Sequence, residues 1–353
     1  MTVILRTTLA CLLSLLLSFS VPLRADTHTV RGAGSSAAKL VYQAWSEAFA
    51  KRGGSAIDYA PVGSSKGLNA IQVRAVDFGA SDLAPPQDVL AKDGLIVIPT
   101  VVSGIAPIIN LPGFKPALRL DGPTLAAIFM GQITHWNDPA IHRLNPEGEL
   151  PASEIRVVTR SDGSGTTYNF TDYLAKVSPD WQSRFGANTL IAWSGKVLPA
   201  KGSGGVVSTV MATPGAIGYV DFTYVLKGGL RTVDMKNRAG HFVTPGIDSF
   251  RAALNASVWH SRGDFTQTLT DQGGSASWPI TMGTFVLLPK VMDDVAGLAT
   301  LRFFTWAFMH GDELANHANF VRLPDVVQAK AYRALATITN PNGTPIAYAS
   351  LAQ

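Results

Sequence analysis

Three times along this chain an apolar, strand-like run ends in glycine, serine or threonine follows, and a helix-periodic stretch begins at once. His28 to Arg31 leads into Gly32-Ala33-Gly34-Ser35-Ser36, after which Leu40, Val41, Tyr42, Trp45, Ala48 and Phe49 recur at helical spacing. Ala56 to Val62 leads into Gly63-Ser64-Ser65 and a helical stretch from Lys66 to Ala75, and Ile155 to Thr159 leads through Arg160-Ser161-Asp162-Gly163-Ser164-Gly165-Thr166 into a helix over Thr167–Val177. Further strands are expected at Val76–Asp82, Leu95–Pro99, Ala216–Val220 and Phe285–Pro289, and further helices at 298–310 and 326–338. Strands that alternate with helices through short loops build a parallel α/β sheet. No Pro/Gly/Ser-rich linker divides the chain, so a second domain is expected to be inserted into the first. Apolar residues at 46% and charged residues at 15% exclude intrinsic disorder. The absence of a repeat of 20–50 residues excludes a solenoid.

The first 25 residues have the pattern of an export signal. Arg6 supplies the positive start and Leu9 to Val21 is an apolar and Ser stretch, shorter than the ~20 residues a membrane span needs. Cleavage after Ala25 fits best, with a cut after Ser20 as the alternative. The signal would carry away Arg6, Arg24 and no acid, lowering the formal charge of +4 by two. It would also remove Cys11, the only cysteine of the chain, which rules out disulfides, thiol catalysis and a Cys metal site in the mature part. No basic run implies nucleic acid, and no later apolar run of membrane length occurs.

The three Gly/Ser loops are where chemistry could sit. A helix start presents free N–H groups and the positive dipole end, and Ser and Thr hydroxyls add donors, so such loops suit an anion. Each alone would be read as an ordinary helix cap; three in one chain, the last beginning at Arg160, point to a converging oxyanion site. Gly32-Ala33-Gly34-Ser35-Ser36-Ala37 also fits a dinucleotide fingerprint, but that leaves the other two loops unexplained, and no Walker A loop occurs. Ser164 lacks nucleophile-elbow spacing and the seven histidines lack ligand spacing, so no catalytic residue, metal or cofactor is assigned. The tryptophans read as core residues.

In these strings, together with Val41-Tyr42-Gln43-Ala44-Trp45, Val76-Asp77-Phe78-Gly79-Ala80-Ser81-Asp82, Pro214-Gly215-Ala216-Ile217-Gly218-Tyr219-Val220 and Trp278-Pro279-Ile280-Thr281, the chain resembles the phosphate-specific substrate-binding protein of bacterial ABC transporters. The likeness runs in order over nearly all of the mature part. It implies an α/β, two-lobe periplasmic binding protein of the type II, Venus-flytrap kind, with two crossing hinge strands. One lobe would comprise residues 26–105 and 280–353, the other 106–279, since the late strand Phe285–Leu288 has no partner near it in sequence.

Carried over position by position, the resemblance implies phosphate contacts from Ser36, Ala37, Ser64, Asp82, Arg160, Asp162, Ser164, Gly165 and Thr166. Two departures stand out: Ala37 replaces a common Phe, and Lys66 replaces a common Gly. Arg160 would be the cation, and Asp82 and Asp162 would be acceptors that only a proton-bearing anion satisfies, which disfavours sulfate. The implied protein is periplasmic and monomeric, not an enzyme, and hands inorganic phosphate to the permease subunits of an ABC transporter. The rival readings are a secreted phosphatase, for which no nucleophile or metal site can be named, and a binder of another tetrahedral oxyanion.

Overall fold

The computed structural model describes residues 28–346; the expected signal segment lies outside the described residues. The described strands are β1 (Val30–Gly34), β2 (Ile57–Ala60), β3 (Phe78–Ser81), β4 (Leu95–Asn110), β5 (Leu118–Leu120), β6 (Arg156–Arg160), β7 (Val197–Ala200), β8 (Ala216–Asp221), β9 (Arg231–Lys236), β10 (Phe242–Val243) and β11 (Thr281–Pro289). Their main path is β2-β1-β3-β11-β4-β8-β6-β7, with β9 joined to β4, β5 and β10.

The three expected strand–loop–helix units form. β1 pairs in parallel with β2 and β3, and β6 pairs in parallel with β7 and β8. Helices Lys39–Ala50, Ser64–Gln72 and Gly165–Val177 follow β1, β2 and β6. The first buries Val41, Tyr42, Trp45 and Phe49 at the spacings that mark one helix face. Tyr42 stands edge-on to both Phe78 of β3 and Phe304 of the long apolar helix Asp294–His310, which fixes that layer on the sheet.

β4 is much longer than the Leu95–Pro99 run expected of it. Its residues up to Gly104 pair antiparallel with β11, and from Ile105 to Asn110 it pairs antiparallel with β8. Pro99, Thr100, Ser103 and Gly104 interrupt the apolar pattern, yet the strand is buried throughout that stretch. The crossing is pinned by Ile105, whose N–H donates to the Ile280 carbonyl at 2.8 Å and whose own carbonyl accepts the Trp278 indole N–H at 3.0 Å. A second departure concerns Val258–Arg262, a short helix inside the expected second lobe. Trp259 packs on Phe285 of β11, and Lys330 donates to the Arg262 and Gly263 carbonyls, so this piece lies against the first sheet.

No helix of the described residues is long and apolar enough to cross a membrane.

A cleft lined by four helix starts

Each strand-to-loop unit delivers its Ser or Thr residues to the line where the two sheets face each other. From the first sheet come Ser35 and Ser36 after β1, Ser64 after β2 and Asp82 after β3, all buried. From the second come Arg160 at the end of β6, and then Asp162, Ser164, Gly165 and Thr166 at the start of helix Gly165–Val177. Ser164 caps that helix by accepting the Thr167 N–H at 3.2 Å.

The two sets touch. Thr166 Oγ1 lies 3.4 Å from Asp82 Oδ2, the Asn169 amide donates to the Asp82 carbonyl at 2.6 Å, and Ser65 N–H donates to the Gly163 carbonyl at 3.3 Å. On the other side of the cleft the Ser36 and Ser203 hydroxyls pair at 2.9 Å, and the Tyr224 hydroxyl donates to the Ser36 carbonyl at 2.8 Å. The arrangement is closed. Close approaches are made at Gly163, where a Cβ would run into the Ser65 side chain, and at Gly165, where it would stand 2.7 Å from Ser64 Oγ and 2.8 Å from Asp82 Cβ.

Two carboxylates have distinct surroundings. Asp162 accepts from Arg160 Nε at 2.8 Å and Arg160 Nη2 at 2.5 Å, and from the Gly202 N–H at 2.9 Å. Burial works to raise its pKa, but the Arg160 hydrogen bonds and charge outweigh it and hold the carboxyl below its ordinary value. Asp82 has no cation bonded to it. Ser35 Oγ sits 2.7 Å from both of its oxygens and Thr284 Oγ1 donates to Oδ1 at 2.9 Å. Burial pushes the Asp82 carboxyl up, against the pull of the Ser35 and Thr284 hydroxyls and the Arg160 charge.

The sequence-expected residues are therefore brought together, with two differences of engagement. Both Asp162 oxygens are taken up in orienting Arg160 rather than left open to the cleft. The Ala37 N–H, expected as a ligand donor, is directed at Ser35 Oγ at 3.1 Å.

The domain model of the PBP superfamily matches residues 22–287. The phosphate-binding protein PstS of Xylella fastidiosa strain Temecula1 is 40% identical over 321 residues, covering 89% of this chain and 88% of the relative. The chain belongs to the PstS family of phosphate-binding proteins. The PstS protein of Haemophilus influenzae strain Rd is likewise 40% identical, over 307 residues, with 86% of this chain and 91% of that one covered. Among solved structures, a high affinity periplasmic phosphate-binding protein bound with phosphate superposes with a TM-score of 0.72 at 21% identity, over 89% of this chain and 100% of the other. The α/β periplasmic binding protein fold is thereby shown for this PstS family member.

Sequence reading missed Ser35, Ser203, Tyr224 and Thr284. One signal was available: Ala200-Lys201-Gly202-Ser203 is a fourth strand–Gly–Ser–helix unit, and helix Gly202–Ala212 starts at the cleft like the other three.

Proposed function

We propose that this chain captures inorganic phosphate between its two lobes in the periplasm and presents it to an ABC transporter permease, acting as a monomeric carrier without catalysis. The observation that carries this reading is the charge balance at the closed cleft. Arg160 is matched by Asp162, and Asp82 remains as a further carboxylate. An anion held there must be stabilised by hydroxyl and N–H dipoles, and must bring a proton for Asp82 to accept. Hydrogen phosphate and dihydrogen phosphate do so; sulfate does not at neutral pH. The expected ligand contacts remain Ser36, Ala37, Ser64, Asp82, Arg160, Ser164, Gly165 and Thr166, with Asp162 acting through Arg160. The lobes are taken to divide at 105/106 and 279/280, where β4 leaves the first sheet and β11 enters it, with 258–265 folded back onto the first lobe.

Calorimetric titration of the purified chain at neutral pH tests the reading. Phosphate and arsenate are expected to bind and sulfate to bind at least a thousandfold more weakly, since an unpaired buried carboxylate disfavours a proton-free anion by several kcal/mol. Equal affinity for sulfate and phosphate would sink it.

Asp162→Asn separates the two carboxylates. The amide keeps an acceptor for Arg160 and the size of the side chain, so the phosphate-to-sulfate ratio is expected to hold, while phosphate affinity moves by about tenfold or less, the scale of a single charge-assisted hydrogen bond. Competitive titration reads the ratio directly; a collapse of it would return Asp162 to the selecting role.

A further inference from the structure

We propose that Ser35 and Thr284 are specificity-determining positioning residues: their hydroxyls hold Asp82 as a proton acceptor, so that only a tetrahedral anion carrying its own proton fits. The inference rests on the phosphate reading above and deepens it.

The geometry leaves Ser35 no choice of role. Its Oγ accepts the N–H groups of Ala37 at 3.1 Å and Ala38 at 3.4 Å, which occupies its lone pairs. Its one proton is left to point at Asp82, 2.7 Å from either oxygen. Thr284, on the neighbouring β11, adds a donor to Oδ1 at 2.9 Å. Oδ1 is thus held by two hydroxyls, whereas Oδ2 shares Ser35 and has only the long 3.4 Å approach of Thr166 from the opposite lobe. Oδ2 is the oxygen with acceptor capacity to spare, and it is the one turned to the other lobe.

Without the hydroxyls, a carboxyl buried this deeply would take up a proton itself, and a protonated Asp82 would donate to any tetrahedral anion, sulfate included. The charged and titratable groups around it are few. Arg160 favours the ionised form, Asp221 at the end of β8 opposes it, and Tyr42, Tyr59 and Tyr224 are neutral neighbours whose own ionisation is pushed up by burial. Arg160 is shared with Asp162, so the hydroxyls are the groups devoted to Asp82 alone.

The test titrates inorganic phosphate and sulfate into the unaltered chain, Ser35→Ala and Thr284→Val, from about pH 5 to about pH 8.5, on the alkaline side of an ordinary carboxyl, the direction in which burial pushes Asp82. In Ser35→Ala, sulfate binding is expected to set in about one pH unit or more above its onset in the unaltered chain. Phosphate affinity near pH 8 should fall about tenfold, the scale of a hydrogen bond to a charged group. Thr284→Val, which keeps the shape of the side chain, should shift the sulfate onset in the same direction by less. A loss of both anions by one factor at every pH is what a packing role gives, and it overturns the proposal, as does an unshifted sulfate onset in both variants. Failure of the unaltered chain to bind phosphate at all refutes the parent reading and the proposal with it, an outcome separable from the other two.

Discussion

Replacing Gly165 by Ala is expected to leave the fold at least as stable and to weaken phosphate capture by about fivefold to a hundredfold or more. Gly165 opens the helix that ends at Val177 with ordinary backbone angles, and Ala in a helix is favoured over Gly by about 1 kcal/mol. The three nearest atoms that the added methyl would meet lie outside its own lobe. It would stand 2.7 Å from Ser64 Oγ and 2.8 Å from the Asp82 backbone N and Cβ, all belonging to the opposite sheet. Overpacking of this kind costs about 1–3 kcal/mol and more where backbone must move, and here the cleft relieves it by staying ajar. Calorimetry gives the affinity, and small-angle scattering should show that added phosphate no longer contracts the variant as it contracts the parent. Near-parental affinity would mean that the closed contact at Gly165 is not the binding state.

Arg160→Ala carries the other large effect. Arg160 is buried, and its guanidinium is aligned by the two-point contact with Asp162. Removing the guanidinium takes away the charged partner of the bound anion, and truncating one member of a buried, hydrogen-bonded charge pair across a binding interface costs about 2–5 kcal/mol, so phosphate affinity should fall roughly thirtyfold to several-thousandfold. The same change leaves the half-buried Asp162 with only backbone N–H groups to face it, that of Gly202 and its own. That predicts a pH signature. In the parent the Asp162 carboxyl is held below its ordinary value, so its stabilising contribution is present above the unfolded value, about pH 4, and is lost only as acid drives the pH through the depressed folded value. In the variant the partner is gone and burial raises the folded value, which destabilises the protein above about pH 4 and relents on acidification. The melting-temperature gap between parent and variant should therefore narrow from about pH 7 down to about pH 4. A gap independent of pH would show that Asp162 has found another partner.

What the amino-acid order discloses and what it conceals follow from the range of the interactions involved. The strand–Gly–Ser–helix units are local, and all three expected from the chain formed with boundaries close to those expected. Ser36, Ser64, Asp82 and Arg160, which the resemblance singles out, each lie at or just after the end of a strand, and that local position is what brings them to the cleft. Ser35 and Thr284 could not, since their role depends on Asp82, which lies 47 residues from one and 202 from the other. β4 was cut short for a related reason: its second half is buried by β8 and its helices, which no pattern inside Thr100–Asn110 announces. Asp162 is a different case. It lies two residues beyond Arg160 where a strand ends, near enough in sequence for the two side chains to meet, so its pairing with Arg160 is a local contact that the chain order makes readable.

The placement of β11 between β3 and β4 sets an order of assembly. Until residue 281 has been synthesised, the first sheet lacks the strand that separates two of its members, and β3 and β4 have no partner on those edges. The central strands of the second sheet, the later half of β4 with β6, β7 and β8, all lie between residues 105 and 221 and need nothing from the end of the chain. The sheet that begins the chain is thus completed last, by closing a loop of some 200 residues between Asp82 and Thr284, a slow step by the usual dependence of folding rate on sequence separation. Asp82 acquires Thr284 only at that moment, so a chain that has not finished folding lacks the hydroxyl that holds Asp82 Oδ1 from β11.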